Sequence, residues 1–322
     1  MDRNTGIKVY LVATVFALTT GLSFLAAKTT LVYAAPLEAL FFRFAAAFLF
    51  ALFVIAVKGG MKNFKGKRLG PLLIPALLYA GGFFGFQFFG LLYASSVEAG
   101  IIMAVQPAIT MIVAELAIKE KPSLSQRLCV AAAILAAAFL SAYGSVGGAE
   151  MDFRGILLIF LSALSMAGNV VYIRWISRDY SPMAVSFVSC AFGFLLYTAV
   201  ILISGGMKGT LGHTFGLIAE PKFLGAILFL GIGCTMLTTL MNSYLMIYLE
   251  AIKVSVMGCA GTIITLLTGH FVLGEALTGV QIAGSVVILA AIVGTNYFGG
   301  PAQKNRLEKE PADKEREKEE GR

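Results

Sequence analysis

The residues able to do chemistry in this chain stand alone in apolar surroundings. Arg43 sits inside the run PLEALFFRFAAAFLF. Thr19, Ser23, Gln87, Gln106, Asn169, Asn242, Thr262 and Thr265 are uncharged polar residues inside other apolar runs. A guanidinium holds a carboxylate or another anion, and amides and hydroxyls make weak, reversible hydrogen bonds. In hydrocarbon these groups are costly, about 2.5–3.5 kcal/mol for an arginine near a bilayer centre, so each must face protein or water. Two readings follow. Either Arg43 bonds carbonyls or another helix, and the amides and hydroxyls join helices at about 0.6 kcal/mol per bond, or they line the path of a solute. Glu38 is the nearest carboxylate to Arg43, but five residues place it about 140° away around a helix, which makes a direct pair awkward.

Catalytic constellations are missing from the pattern. Glu38, Glu115 and His270 are scattered rather than gathered at one depth. Only two histidines, His213 and His270, occur, and the four cysteines lack metal-ligand spacing and read as small packing residues. His270 is a lone candidate for proton coupling, with an interfacial polar role the simpler reading. No G-x-x-x-x-G-K-[ST] loop is present. The expectation is therefore no catalytic residue, no metal and no cofactor, and the pattern argues against an ATP-driven pump.

The elements that carry these residues follow from hydropathy. Hydrophobic residues make up 58% of the 322 and charged ones 13%, against roughly 25% charge in a soluble domain; mean hydropathy is +0.84. Ten stretches have membrane-spanning length: 7–28, 36–57, 71–93, 98–118, 126–143, 154–175, 184–204, 223–248, 251–272 and 278–298. In lipid the backbone must satisfy itself, and continuous runs of about 20 apolar residues do so as helices. The fold class read from this is an all-α polytopic membrane protein with ten transmembrane helices.

Charge sets the expected topology. With the N-terminus inside, inner segments hold twenty Lys and Arg, and outer loops hold only Lys28, Arg154, Lys208 and Lys222. Positive residues stay on the cytoplasmic side, so both termini are expected in the cytoplasm of a multi-pass cell-membrane protein. The tail 301–322 carries seven basic and seven acidic residues and reads as a disordered cytoplasmic arm. The formal net charge of +7 therefore belongs to residues 1–300 and is topological. It is not a nucleic-acid footprint, and no nucleic-acid partner is expected.

The second half repeats the first. With an offset of 146, Pro36 meets Pro182, Ser23 meets Asn169, and Lys28 meets Arg174. Further on the offset is 155, so that Gln87 meets Asn242, Tyr93 meets Tyr248, Glu120 meets Glu275, and Ser123 and Gln126 meet Thr278 and Gln281. Five spans per copy is odd, so the copies, 1–146 and 147–300, enter the membrane from opposite sides. Such inverted repeats belong to secondary transporters, with the site at the repeat interface. Ser123-x-x-Gln126 and Thr278-x-x-Gln281 read as capping boxes of helices 5 and 10. Glu120 and Glu275 bond helix ends or gate the pathway, the former being simpler. Glu115 reads as the i,i+4 partner of Lys119, and Glu98 suits a helix N-terminus. Ala-rich helix 5 and the glycines of helices 9 and 10 permit close packing or a homodimer.

Taken together, the ten-helix plan, the P-L-E-A-L-F-F-R-F opening of helix 2, Q-P-A-I-T in helix 4, K-E-K-P-S-L-S-Q at 119–126 and G-E-A-L-T-G-V-Q at 274–281 resemble the EamA-type transporters of the drug/metabolite transporter superfamily. The resemblance covers about 1–300. Lys119 stands where the family pattern has Gly, and Thr262 where a second Pro107 would stand. The resemblance implies secondary transport by alternating access, with helices 1, 3, 4, 6, 8 and 9 around a central cavity and efflux of an amino-acid or drug-like small solute. An intramembrane lipid-modifying enzyme and a non-transporting structural membrane protein are the rival readings.

Overall fold

Continuous apolar runs become helices because only an intra-segment hydrogen-bond ladder leaves no polar backbone facing hydrocarbon. In the computed structural model, which describes residues 3–58, 68–103, 105–119, 122–143, 152–208, 216–273 and 279–298, these helices are α1 (Arg3–Tyr33), α2 (Pro36–Lys58), α3 (Gly70–Gly90), α4a (Ser96–Met103), α4b (Gln106–Ala117), α5 (Leu124–Tyr143), α6 (Phe153–Ile176), α7 (Pro182–Lys208), α8 (Pro221–Tyr248), α9 (Ala251–Leu273) and α10 (Gly279–Phe298). Pro36, Pro182 and Pro221 open α2, α7 and α8, where a missing N–H costs nothing and φ is preset for the helix. Among the described residues, α1, α2, α3, α6, α7 and α8 are long and apolar enough to cross a membrane. At most half of each crossing segment is buried inside the protein. Large apolar side chains on these segments, among them Val32, Phe53, Leu73 and Leu195, are exposed, as a lipid-facing surface requires. The chain is a multi-pass, all-helical membrane protein.

Helix 4 is not the single span 98–118 that the sequence suggests. It is broken into α4a and α4b between Met103 and Gln106. Pro107 is the cause: it lacks an N–H, and its ring crowds the carbonyl four residues back, that of Met103. The Val105 N–H bonds the Ile102 carbonyl instead, at 3.1 Å. Glu115 also differs from expectation. It accepts from Arg127 of α5 at 2.7 Å, not from Lys119. Lys119 adopts a left-handed φ of 54° just past α4b, so the chain leaves the helix line there.

Two π-helical segments interrupt the middle of α3 and α8, at Leu77–Gly85 and Phe229–Leu237. Such widened turns loosen the i→i−4 ladder and recur at functional sites. Side chains from neighbouring helices bond the carbonyls around them. Tyr197 of α7 donates to the Ala80 carbonyl at 2.7 Å, and Ser162 of α6 donates to the Phe83 carbonyl at 2.8 Å. Gly231 lets α8 lie against α2, since a Cβ there would stand 2.6 Å from the Arg43 carbonyl and 2.6 Å from the Ala46 Cβ.

The most extensive helix pairs are α1 with α9, α5 with α10, and α2 with α7. The Ala-rich α5 thus packs mainly along α10 and also meets α4a and α4b. At the ends of α3 and α8 the carbonyls are met by cations. Lys28 Nζ donates to the Leu91 carbonyl at 2.9 Å, and Arg174 Nη1 donates to the Met246 carbonyl. A cation at a helix C-terminus is stabilised by the helix dipole.

Two buried apolar clusters organise the interior. One includes Phe24, Tyr79, Phe84, Met103 and Cys234; the other includes Phe16, Val170 and Val254. A cavity lies where these two clusters meet.

Candidate functional site

The site is built on a polar stripe of α8. Thr235, Thr238, Thr239 and Asn242 recur at spacings of three and four and are all buried, which puts them on one helix face. Their hydroxyls are anchored to their own helix. Thr235 Oγ1 donates to the Leu230 carbonyl at 2.9 Å, Thr238 Oγ1 to the Cys234 carbonyl at 2.8 Å, and Thr239 Oγ1 to the Thr235 carbonyl at 2.6 Å. Tyr79 reaches across from the π segment of α3, its hydroxyl donating to the Thr235 carbonyl at 3.3 Å.

Arg43 of α2 enters this stripe and is 1% exposed. Nε donates to Thr235 Oγ1 at 2.7 Å, and Nη2 donates to the Cys234 carbonyl at 3.1 Å. The guanidinium carbon lies 3.8 Å from the centre of the Phe84 ring and 5.6 Å from that of Phe88, within range of cation–π attraction. Nη1 is buried and has no hydrogen-bond partner. Glu38 is turned elsewhere: its Oε2 accepts from the Ala35 N–H at 3.0 Å, at the start of α2.

Around these groups is a cavity of about 70 Å³, room for roughly five waters at about 10–15 Å³ each, or for the polar end of a small organic solute. α1 contributes Phe16, Thr20, Ser23 and Phe24; α2 contributes Arg43; α3 contributes Tyr79, Phe83, Phe84 and Gln87. α4a and α4b add Met103 and Gln106, α6 adds Met166 and Val170, and α9 adds Val254, Ser255, Gly258 and Gly261. Cys234, Thr238, Thr239 and Asn242 of α8 close the wall. The Asn242 Oδ1 is, like Arg43 Nη1, buried without a partner. Arg43 is the one charged side chain among the described residues of this wall.

Of the residues singled out in the sequence, the cavity brings together Ser23, Arg43, Gln87, Gln106 and Asn242. Thr19, Asn169 and Thr265 lie outside its wall. Thr19 Oγ1 bonds its own helix at the Val15 carbonyl, 2.8 Å away, and the Thr19 carbonyl meets the Cys234 thiol at 3.4 Å. Asn169 Nδ2 donates to the Pro75 carbonyl at 2.8 Å, tying α6 to α3 just before the π segment. Thr265 Oγ1 reaches the Gly21 carbonyl at 3.0 Å and so bridges α9 to α1. The side chains of Thr262 and Gln281, and Glu120, Glu275, Thr278 and the tail 301–322, lie outside the described residues.

The Ser123 and Gln126 side chains bond each other's backbone N–H groups, at 2.9 and 3.1 Å. Ser95 and Glu98 make the same reciprocal pair at the start of α4a, at 2.7 and 3.1 Å. These contacts close helix starts, and none of the four residues lines the cavity. Thr20, Thr238, Thr239 and Ser255 are cavity residues that sequence reasoning passed over. The α8 stripe carried the signal: a period of three to four polar residues within an apolar span marks a protected face.

The EamA-like transporter family matches this chain over residues 7–142 and 153–297. An "Uncharacterized transporter YcxC" of Bacillus subtilis (strain 168) is 34% identical over 296 residues, covering 92% of this chain and 95% of its own. A "Probable amino-acid metabolite efflux pump" of Salmonella typhimurium (strain LT2) is 26% identical over 304 residues, covering 93% and 96%. A solved crystal structure superposes with a TM-score of 0.71 at 16% identity, covering 94% of this chain and 99% of the other, a likeness of fold.

Proposed function

The chain belongs to the EamA-like transporter family, and from that premise we propose that it moves a small organic solute across the cell membrane by alternating access through the cavity between α3 and α8. The membership makes it a transporter and not an enzyme. The observation that carries the proposal is the shared wall: Gln87 of α3 and Asn242 of α8, matched positions of the two sequence halves, line one cavity. The halves are 1–146 and 147–300, each of five spans in opposite orientation, with both termini and the charged tail 301–322 in the cytoplasm.

Two further pairs support the duplication. The π segments sit in the middle of the third span of each half. Lys28 on Leu91 and Arg174 on Met246 are the same contact made twice, between residues that the two sequence offsets pair independently. Efflux is the proposed direction, and amino-acid or drug-like metabolites are the proposed cargo, in line with the printed name of the Salmonella relative.

The test is flux. The full-length protein, reconstituted in proteoliposomes and offered a panel of labelled small metabolites, shows saturable movement of at least one that Asn242→Leu and Gln87→Leu both slow. Flux equal to that of protein-free vesicles across the panel, from a protein that melts cooperatively, removes the reading.

A further inference from the structure

We propose that the solute accepted by this cavity carries a single carboxylate on a small apolar body, and that Arg43 Nη1 receives that carboxylate. The proposal rests on the reading of the cavity as the transport pathway. Its starting point is the incomplete satisfaction of a buried cation. Nε and Nη2 are engaged by Thr235 and by the Cys234 carbonyl, and one face of the guanidinium lies on Phe84. Nη1 has nothing. A clamp between α2 and α8 is complete without it, so the structural role of Arg43 leaves this nitrogen unused.

No protein counter-charge answers it among the described residues. Each glutamate of the helices nearby bonds elsewhere: Glu38 the Ala35 N–H, Glu98 the Ser95 N–H, Glu115 the Arg127 guanidinium, and Glu250 the Gln126 amide and Lys253. A buried cation without an anion is unfavourable, and an entering anion relieves it with a charge-assisted hydrogen bond. In this conformation Nη1 is closed over. The carboxylate reaches it when the wall parts, as an alternating-access cycle requires.

The rest of the wall narrows the anion. Phe16, Phe24, Phe83, Met103, Met166 and Val170 offer apolar surface, which favours a hydrocarbon body beside the charge. A phosphate dianion brings a second charge for which no second cation lines the described wall, and an amine that carries no carboxylate meets Arg43 as a like charge.

The experiment uses full-length protein in detergent and matched probes: benzoate with benzamide, benzylamine and phenyl phosphate, and 4-methylpentanoate with its amide and amine. Binding is read by calorimetry and by shift of the melting temperature, in wild type, Arg43→Lys and Arg43→Gln. The expected result is about tenfold tighter binding of each carboxylate than of its amide, the difference between a charge-assisted and a neutral hydrogen bond. Arg43→Lys weakens that preference and Arg43→Gln abolishes it. Should Arg43→Gln not fold, the wild-type panel and the Lys variant decide alone. Amides or amines binding as well as the carboxylates, phenyl phosphate binding better than benzoate, an unchanged preference in the variants, or no carboxylate binding at all overturns the proposal.

Flux of the same probes into proteoliposomes separates the two readings. Carboxylates that bind in this pattern yet do not cross leave the anion site standing and remove the transport reading. Amides or amines that cross while carboxylates do not leave transport standing and remove the anion site.

Discussion

Arg43 is held at two of its nitrogens by α8, and both acceptors have a second donor or acceptor of their own. Thr235 Oγ1 keeps its bond to the Leu230 carbonyl, and the Cys234 carbonyl keeps the Thr238 hydroxyl. Arg43→Leu therefore orphans little and also removes a buried charge. Its folded yield and melting temperature are expected near wild type while solute flux is lost; a fall in yield that matches the fall in flux makes Arg43 a structural tie. At this scale the sequence was informative where polarity interrupts hydrocarbon and silent about direction. Arg43, Gln87, Gln106 and Asn242 stood out because burying them is costly. Thr19 and Thr20 are adjacent and chemically identical, yet a 100° step around the helix takes Thr20 to the cavity and leaves the Thr19 side chain outside it, beside Gly233 of α8. Asn169 and Thr265 stood out for the same reason as Asn242 and turned out to join helices, a distinction set by neighbours that no local pattern encodes.

Helices α3 and α8 place the site, and their π segments shape it. The loosened ladder leaves carbonyls that Tyr197, Ser162, Tyr79 and Arg43 bond from the side. α8 can hold Arg43 only by lying close to α2, which depends on the missing side chain at Gly231. Gly231→Ala forces a methyl to within 2.6 Å of the Arg43 carbonyl, and overpacking of that kind costs about 1–3 kcal/mol. Gly168→Ala is the control, because its methyl meets only Leu78 Cδ1 at 3.5 Å. Melting of the solubilised protein is expected to drop for Gly231→Ala and stay near wild type for Gly168→Ala; equal melting of the two removes the close-approach account. The six long apolar spans were legible, since hydropathy is a property of consecutive residues. The break in α4 was legible only in part. Pro107 was visible, but whether a membrane helix kinks or splits at proline depends on what neighbouring helices supply. The π segments left no local signal beyond scattered glycines.

At the scale of the molecule, the proposed plan sets two five-helix halves head to tail about a pseudo-two-fold axis, with one cavity at their interface. Lys28 and Arg174 then clasp α1 to α3 and α6 to α8 at opposite membrane faces, and the matched amides Gln87 and Asn242 lie at mirrored depths along one path. The proposed duplication is read from matched residues that keep their chemistry across 146 and 155 positions. The resemblance implied a cavity among helices 1, 3, 4, 6, 8 and 9, but its exact lining was not legible, because that depends on which helix faces turn inward. The claim that joins these levels is that the two amides face one aqueous pathway reached from each side in turn. It is tested by single cysteines in place of Gln87 and Asn242, in a background with Cys129, Cys190, Cys234 and Cys259 replaced, labelled by a membrane-impermeant thiol reagent applied to one face at a time. A water-filled path supports both access and thiolate formation, so the two cysteines are expected to label from opposite faces, and a transported solute is expected to slow at least one of them. Failure of both to label from either face, in protein that still transports, contradicts the account and makes Gln87 and Asn242 packing groups.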